Sequence, residues 1–252
     1  MKHRLIIWTF LCCVYFACYF TGWIITLAFG AETPALPAGR QTPKTIALCF
    51  DDGPRPWVLK ELLPVLEKYK TPGNFFVIGC FVPQNKELVR KMHEAGYEIE
   101  NHSWGHENFK KLYKEKGASA IKSNLNRTYK VICDATGTCK IPGKTPLFFR
   151  PPFWQITNEI EKIIADEGYI VMKIGKPDIN TMDYANFEGK RLPEVLIERV
   201  KSIIAKRERQ KIFTHVLVFH ELPISTKALK TLIPYFQNQG YKLIRLDKMF
   251  PK

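Results

Sequence analysis

The stretch Ala95-Gly96-Tyr97-Glu98-Ile99-Glu100-Asn101-His102 predicts a helix end, then a strand, then a polar side chain where that strand finishes. A glycine just past a helix adopts the left-handed conformation that terminates it. The same Gly-Tyr pair recurs at Gly168-Tyr169 and at Gly240-Tyr241. The repetition predicts three points at which a helix ends and the chain enters a strand.

Strand-like apolar runs alternate with runs of helical spacing through the rest of the chain. Alternation of this kind builds a parallel sheet covered by helices, and about seven strands favour a closed or nearly closed barrel over an open sheet. We therefore predict an α/β fold, a distorted (β/α) barrel with about seven parallel strands. The predicted strands are Thr45–Phe50, Asn74–Ile78, Tyr97–Glu100, Leu147–Phe149, Tyr169–Ile174, His215–Phe219 and Tyr241–Leu246.

The N-terminal segment differs from everything that follows. Met1 to Arg4 is basic, and Leu5 to Phe29 contains no charged residue, which is long enough to cross a bilayer. Small residues near Ala28 also permit cleavage as a signal peptide. In both cases the remainder is exported. We predict a signal peptide or membrane anchor at 1–30, a proline-containing linker at 31–44 and one domain at 45–252, exported and either membrane-anchored or secreted.

The chain is strongly basic, with a formal net charge of +14 at pH 7. Such a field favours anionic partners, namely lipid headgroups, acidic cell-wall polymer or nucleic acid. We predict no nucleic-acid partner, because the domain is expected to be exported and carries no recognition motif. A basic surface that simply faces solvent is the alternative.

Four of the seven cysteines lie in the predicted domain. Cys133 and Cys139 flank a turn-rich loop and could form a disulfide in an oxidising compartment, although sequence spacing does not fix the geometry. Cys49 and Cys80 lie in apolar runs and are predicted to be buried thiols.

Reactive side chains stand at or just after the predicted carboxyl ends of four strands. They are the Asp51-Asp52 pair, His102, Arg150 and His220. In parallel barrels these strand ends meet at one rim, where active sites are assembled. The sequence therefore predicts one polar site built from four separate segments.

Two of these segments suggest a metal site. Asp51 and Asp52 cannot both stay charged side by side without a counter-ion, which a divalent cation would supply. His102 and His106 are four residues apart, and one helical turn would put both imidazoles on the same side. An Asp-His-His set leaves positions open for water and substrate. Taken singly, Asp-Asp-Gly is ordinary turn chemistry, and histidines are often packing or surface residues.

The loop Arg150-Pro151-Pro152-Phe153-Trp154 combines a cation with two aromatic rings. Its prolines fix the path of the chain. Arg150 could orient a carboxylate through a two-pronged contact, and the rings of Phe153 and Trp154 offer flat faces to a sugar. A core edge with a surface arginine is the alternative.

His220 ends the apolar run that begins at Val216. A histidine at a strand end is well suited to act as a general acid, because neighbouring groups can tune its pKa. Glu221 or Asp183 could keep it protonated.

Taken together and in this order, the motifs resemble those of the polysaccharide deacetylase family, the NodB-homology domain of carbohydrate esterase family 4. The resemblance covers nearly all of residues 45–250. Phe50-Asp51-Asp52-Gly53-Pro54 is similar to the first motif, His102-Ser103-Trp104-Gly105-His106 to the second and Arg150-Pro151-Pro152-Phe153 to the third. Asp183-Tyr184 resembles a weak fourth motif, and Val218-Phe219-His220 resembles the fifth.

The resemblance implies a role for each matched residue. The catalytic group would comprise Asp51 as base, Arg150 to orient it, His220 as general acid and Asp183. The metal ligands would be Asp52, His102 and His106, with zinc as the first choice and cobalt or another divalent ion as alternatives. The substrate-binding group would comprise Pro152, Phe153, Trp154 and Tyr184, and a backbone N–H near Phe153 or Trp154 would hold the oxyanion.

Departures from the family pattern fall mainly in motifs three and four, which line the sugar pocket. Trp154 stands where glycine is usual, Asn180 where aspartate is usual and Tyr184 where tryptophan is usual. Elsewhere, Cys49 replaces a common threonine and Val218 a leucine. The ligands and both proton carriers are present, so these departures bear on the shape of the substrate.

The implied function is metal-dependent removal of N-acetyl groups from amino sugars of a polysaccharide, either peptidoglycan or a chitin-like oligomer. Residues 45–252 would be the catalytic domain of a monomer that meets the membrane through its N-terminal segment. Two alternatives stay open: an O-acetyl esterase that uses the same residues, and a carbohydrate-binding barrel without catalytic activity.

Overall fold

The computed structural model describes residues 43–173, 175, 177–185 and 192–251. The predicted signal or anchor at 1–30 and nearly all of the predicted linker lie outside these residues. The described residues belong to one compact unit. None of their helices is both long and apolar enough to cross a membrane.

Strands and α-helices alternate through the described residues. The strands are β1 (Thr45–Gly53), β2 (Asn74–Val77), β3 (Glu98–Asn101), β4 (Leu147–Phe149), β5 (Tyr169–Val171), β6 (Asp178–Asn180), β7 (Thr214–His220) and β8 (Lys242–Leu243). The helices are α1 (Pro56–Lys68), α2 (Lys86–Glu94), α3 (Phe109–Thr136), α4 (Asn158–Asp166), α5 (Pro193–Arg209), α6 (Pro223–Asn238) and α7 (Leu246–Met249). Short 3₁₀ turns occupy Gly79–Phe81, Pro83–Asn85 and Pro152–Trp154.

The strands form one parallel sheet in the order β5-β4-β3-β2-β1-β7-β6, with the short β8 beside the start of β1. The edge strands β5 and β6 do not pair with each other in the described part of the chain, so the barrel is open on that side. The sheet confirms the predicted distorted barrel, with seven strands in its main path. All carboxyl ends therefore point to the same rim.

Strand β1 lies near the middle of the sheet and is buried on both faces. Ile46, Leu48 and Phe50 pack against helices α1, α5 and α6, whereas Ala47 and Cys49 belong to a smaller cluster inside the barrel. Successive strand side chains point to opposite faces. A strand covered on both faces therefore appears in the sequence as a continuous apolar run.

The glycines of the Gly-Tyr pairs end helices as predicted. Gly96, Gly168 and Gly240 have φ values of 89°, 89° and 79°, a region that is costly for residues with a Cβ. They follow α2, α4 and α6 and lead into β3, β5 and β8.

Strand β6 was not predicted. It has only three residues, and Asp178 and Asn180 give it too little apolar character to be recognised. Its pairing with β7, from Asp178–Val216 to Asn180–Val218, makes it a strand. The final strand is also shorter than predicted, because only Lys242 and Leu243 pair with β1.

Cys133 and Cys139 are joined by a disulfide that closes the loop after α3. Cys49 is a buried thiol, as predicted. Cys80 is only partly buried, so the same prediction is wrong for it.

Candidate active site

The end of β1 brings two consecutive carboxylates into one cavity. A regular strand would point Asp51 and Asp52 to opposite faces, yet both line the same cavity. The register of β1 against β2 shifts between Asp51 and Gly53, and Asp52 has a φ of 70°. This bulge turns Asp52 towards the side that Asp51 faces.

Asp52, His102 and His106 place their ligand atoms within 4.8 Å of one another. Nε2 of His102 and Nε2 of His106 lie 3.4 Å and 3.2 Å from Asp52 Oδ1. That oxygen is buried and has no hydrogen-bond partner among the described residues. Burial would raise the pKa of Asp52, but the two imidazoles bring it below its ordinary value. A buried carboxylate oxygen facing two ring nitrogens fits a divalent cation.

The two histidines do not share a helical turn, so that part of the prediction is wrong. They lie in the loop between β3 and α3, which begins only at Phe109. The loop passes through positive φ at Ser103 (71°) and at His106 (62°). These turns bring the ring centroids of the histidines to 5.1 Å from each other.

A backbone carbonyl fixes the ring of His102. Nδ1 lies 2.7 Å from the carbonyl oxygen of Arg150. A carbonyl only accepts hydrogen bonds, so Nδ1 is the donor in this contact, and in the neutral ring the lone pair is on Nε2. The second contact of the ring thereby sets the tautomer that a metal ligand requires.

Arg150, at the end of β4, reaches the first carboxylate of the pair. Its Nη1 donates to Asp51 Oδ1 at 2.7 Å, and its side chain is fully buried. The alternative of a surface arginine is therefore wrong. Its Nη2 lies 3.4 Å from Oδ2 of Asp178. Burial raises the pKa of Asp178 to about 6, although Arg150 acts in the opposite direction.

His220, at the end of β7, is bound by Asp183. Its Nδ1 is 2.7 Å from Asp183 Oδ1, and its backbone N–H donates to Oδ2 at 2.6 Å. Ser225 also donates to Oδ2, at 2.5 Å. Burial would lower the pKa of His220, but the hydrogen bond and charge of Asp183, with Asp51 and Asp52 nearby, raise it to about 9.

Glu221, the other candidate partner of His220, is directed elsewhere. Its Oε2 accepts a hydrogen bond from the backbone N–H of Arg55 at 2.6 Å. Burial raises the pKa of this carboxyl to about 8. The Glu221 carboxyl fills the space beside Gly53, since a Cβ on Gly53 would lie 1.8 Å from Glu221 Oε1.

These groups open onto a cavity of about 420 Å³. The cavity is lined by Asp51, Asp52, His102, His106, Pro151, Phe153, Trp154, Tyr184 and His220. Of the predicted substrate-binding residues, Phe153, Trp154 and Tyr184 are in this wall. Pro152 is not in the wall, and its neighbour Pro151 lines the cavity instead. Arg150 and Asp183 lie behind the wall, in contact with Asp51 and His220.

Sequence analysis missed Asp178 as a neighbour of Arg150 and Ser225 as a neighbour of Asp183. Asp178 lies in the short strand that the apolar pattern did not reveal. Its one sequence signal is its position five residues before Asp183. Ser225 lies in the first turn of helix α6, and nothing in the neighbouring sequence marks it as a partner of Asp183.

A parallel barrel gathers three candidate cation ligands, an Asp-Arg pair and a His-Asp pair on one rim, and these are groups that metal-assisted hydrolysis uses. The sequence profile described as polysaccharide deacetylase matches residues 38–172, more than half of the chain. The chain belongs to the polysaccharide deacetylase family, as its motifs indicated.

Two relatives illustrate the similarity. The chain is 38% identical over 213 residues to a chitooligosaccharide deacetylase of Bradyrhizobium sp. (strain ANU 289). The alignment covers 82% of this chain and 90% of that protein. The chain is also 27% identical over 226 residues to a peptidoglycan-N-acetylglucosamine deacetylase of Listeria monocytogenes, in an alignment that covers 89% of this chain. It spans only 42% of the length of the Listeria protein.

A solved structure supports the fold. A family 4 carbohydrate esterase from Bacillus anthracis, described as a pseudoenzyme, matches with a TM-score of 0.69 and 25% identity. The match covers 83% of this chain and 66% of that one. Catalytic activity in this family therefore depends on the individual site residues and not on the barrel alone.

Proposed function

We propose that this chain is a metal-dependent hydrolase that removes N-acetyl groups from amino sugars of a polysaccharide. One observation carries the proposal. The Asp52-His102-His106 donor set shares a single cavity with Asp51 and His220. Outside the cavity wall, Asp51 is bound by Arg150 and His220 by Asp183.

The three donors would hold the cation. A bound divalent cation would polarise the acetyl carbonyl and increase the acidity of a water molecule. We propose zinc, because nitrogen and carboxylate donors with an open position suit it, and cobalt or another divalent ion is the alternative. His102 is already oriented for this role by the Arg150 carbonyl.

Asp51 would accept the proton of the attacking water. Arg150 binds its Oδ1 and thereby fixes the carboxylate at the cavity wall. A base must lie within hydrogen-bond reach of the proton that it removes. Asp51 adjoins Asp52 at the bulge of β1, so as the base it would lie beside the activated water.

His220 would protonate the leaving nitrogen. Its Nδ1 is occupied by Asp183, so Nε2 is the nitrogen that can donate into the cavity. Loss of an amine requires protonation, because the unprotonated amide anion is a very poor leaving group. The raised pKa of His220, about 9, keeps the acid form present at neutral pH.

Aromatic side chains would position the sugar. Phe153 lies edge-on to His106, with 4.5 Å between ring centroids, and Tyr184 lies edge-on to His220 at 5.0 Å. The backbone N–H of Trp154 already donates to the Pro151 carbonyl at 3.1 Å. The Phe153 N–H has no such bond among the described residues, so we assign it to the oxyanion.

We propose peptidoglycan or a chitin-like oligomer as the substrate, on the basis of the names of the relatives. The net charge of +14 favours the more acidic wall polymer. We further propose export, with residues 1–30 as membrane anchor or as a cleaved signal, and a monomeric enzyme.

Two other functions use the same barrel. An O-acetyl esterase would release acetate faster from O-acetyl than from N-acetyl substrates. A carbohydrate-binding barrel, as the pseudoenzyme relative suggests, would bind glycan and release no acetate at any zinc loading.

The direct test is the His102→Ala variant, assayed for bound zinc, acetate and free amine with defined acetylated oligosaccharides. We expect zinc affinity to fall roughly 100-fold or more and acetate release to stop. His93→Ala is the matched control, because His93 lies on α2 and contacts Thr138. Wild-type zinc content and activity in His102→Ala would rule out this site.

A further inference from the structure

Arg150 stands between two carboxylates that come from different strands. Nη1 donates to Asp51 of β1 at 2.7 Å, and Nη2 lies 3.4 Å from Asp178 of β6. The side chains of all three residues are buried, with exposed fractions of 0%, 3% and 2% for Arg150, Asp51 and Asp178. Strand β6 is an edge strand and is not a neighbour of β4 in the sheet. The contact therefore crosses the interior of the barrel.

The other contacts are weaker. The guanidinium interacts with the Cys49 thiol, whose sulfur is a weak hydrogen-bond acceptor. The guanidinium also lies 4.0 Å from the centre of the Phe76 ring and 5.6 Å from the Trp154 ring, contacts that restrain its plane but not its rotation within that plane. Its Nε is buried without a hydrogen-bond partner among the described residues. Loss of Asp178 would leave Nη2 as a second buried donor without a partner, which is costly enough to favour movement of the side chain.

Asp178 is itself anchored from outside the sheet. Arg207, on α5, donates to the backbone carbonyls of Pro177 and Asp178 at 2.8 Å and 3.0 Å. Pairing with β7 at Val216 fixes the same residue from its other side. Asp178 does not line the cavity that would take the substrate.

We propose that Asp178 is a positioning residue that holds Arg150 against Asp51 and limits it to one hydrogen bond with that carboxylate. A free guanidinium tends to bind a carboxylate with both nitrogens and to occupy both oxygens. Because Asp178 takes Nη2, only Oδ1 of Asp51 is engaged, and the second oxygen stays available for the proton of water. The inference rests on the proposed function for its catalytic consequence, whereas the placement of Arg150 does not depend on it.

A purely structural Asp178 gives a different expectation. A buried ion pair that only stabilises the barrel would, when broken, lower the melting temperature and leave the turnover of the folded enzyme unchanged. A positioning residue lowers kcat with little effect on KM. It also acts only while Arg150 is present.

The test compares Asp178→Asn and Asp178→Ala with wild type on a soluble N-acetylated oligosaccharide at saturating zinc. We expect kcat to fall roughly tenfold to 100-fold, more for alanine than for asparagine, with KM within about twofold. In an Arg150→Gln background, Asp178→Asn should lower kcat no further, because the two residues act as one unit. A crystal structure of Asp178→Ala should show the guanidinium displaced from Asp51 Oδ1.

Glu98→Gln is the matched control. Glu98 is also a mostly buried acid with two cationic partners, Lys140 at 2.5 Å and Arg245 at 3.1 Å. It lies at the start of β3, away from the rim. This variant should lower the melting temperature and keep kcat.

Unchanged kcat in both Asp178 variants, or effects that multiply in the double variant, would overturn the proposal. An Arg150 that still binds Asp51 in the Asp178→Ala crystal would also overturn it. If the wild-type protein releases no acetate, the proposed function fails, and the crystal structure of Asp178→Ala alone decides whether Asp178 places Arg150.

Discussion

At the scale of single residues, the partner of His220 decides its chemistry. A buried histidine normally loses its proton more easily, because burial disfavours the charged ring. Asp183 reverses this effect with a hydrogen bond of 2.7 Å to Nδ1, and the pKa of His220 rises to about 9. Ser225 and the His220 backbone N–H fix the orientation of Asp183.

Replacement of Asp183 by asparagine should therefore move the alkaline limb of the pH profile. In wild type, His220 stays protonated until the pH passes about 9, so kcat/KM should fall only above that pH. Without the aspartate charge, burial dominates and the fall should begin about one to two pH units lower. Asp247→Asn is the control, because Asp247 lies on α7 and pairs with Arg245, which precedes that helix. An unmoved alkaline limb in Asp183→Asn would mean that His220 is not the acid.

At the scale of elements, the bulge at the end of β1 forms the site. It allows two consecutive residues to line one cavity, and Gly53, the last residue of the strand, lies against the Glu221 carboxyl. Glu221 is held in turn by the Arg55 backbone at the start of α1. The bulge is therefore supported by β7 and α1 as well as by its own strand.

Gly53→Ala should disturb this support. The new Cβ would lie 1.8 Å from Glu221 Oε1, so the carboxyl must move, at a cost in unfolding free energy of about 1–3 kcal/mol. Zinc affinity should fall as well, because Asp52 precedes Gly53. The Gly53→Ala/Glu221→Ala double variant removes the clash, and its loss of stability should be smaller than the sum of the two single losses. Additive losses, measured by urea unfolding, would show that Glu221 is not the obstacle.

At the scale of the whole molecule, charge separates the candidate substrates. The chain carries +14, and long-range attraction to an acidic polymer is screened by salt. Raising the salt concentration from about 0.01 M to about 1 M shortens the screening length from about 30 Å to about 3 Å. A neutral oligosaccharide feels no such attraction.

If an acidic wall polymer is the substrate, kcat/KM on purified peptidoglycan should fall at least about tenfold over this salt range. On a neutral N-acetylated chitin oligomer, which serves as the internal control, kcat/KM should change less than about twofold. Equal salt dependence on both substrates would show that the basic surface takes no part in polymer capture.

Much of the fold was predictable because its signals are local. The apolar run of β1 predicted a strand, and the glycines at 96, 168 and 240 predicted helix ends, from neighbouring residues alone. Strand β6 gave no such signal, since its three residues form a strand only through β7. The same holds for the site. The motif residues of the four rim segments were identified from local sequence, whereas Asp178, which lies in β6, was not.

The sequence by itself determined the parallel barrel, the donor types and the strand ends at which they stand, because periodicity and chain order encode these features. Only the tertiary structure decided that a loop brings His102 and His106 together and that Pro151 rather than Pro152 lines the cavity. It also decided that Arg150 lies between Asp51 and Asp178. Those outcomes depend on side chains from strands that are distant in sequence, and their contacts arise only when the barrel curves.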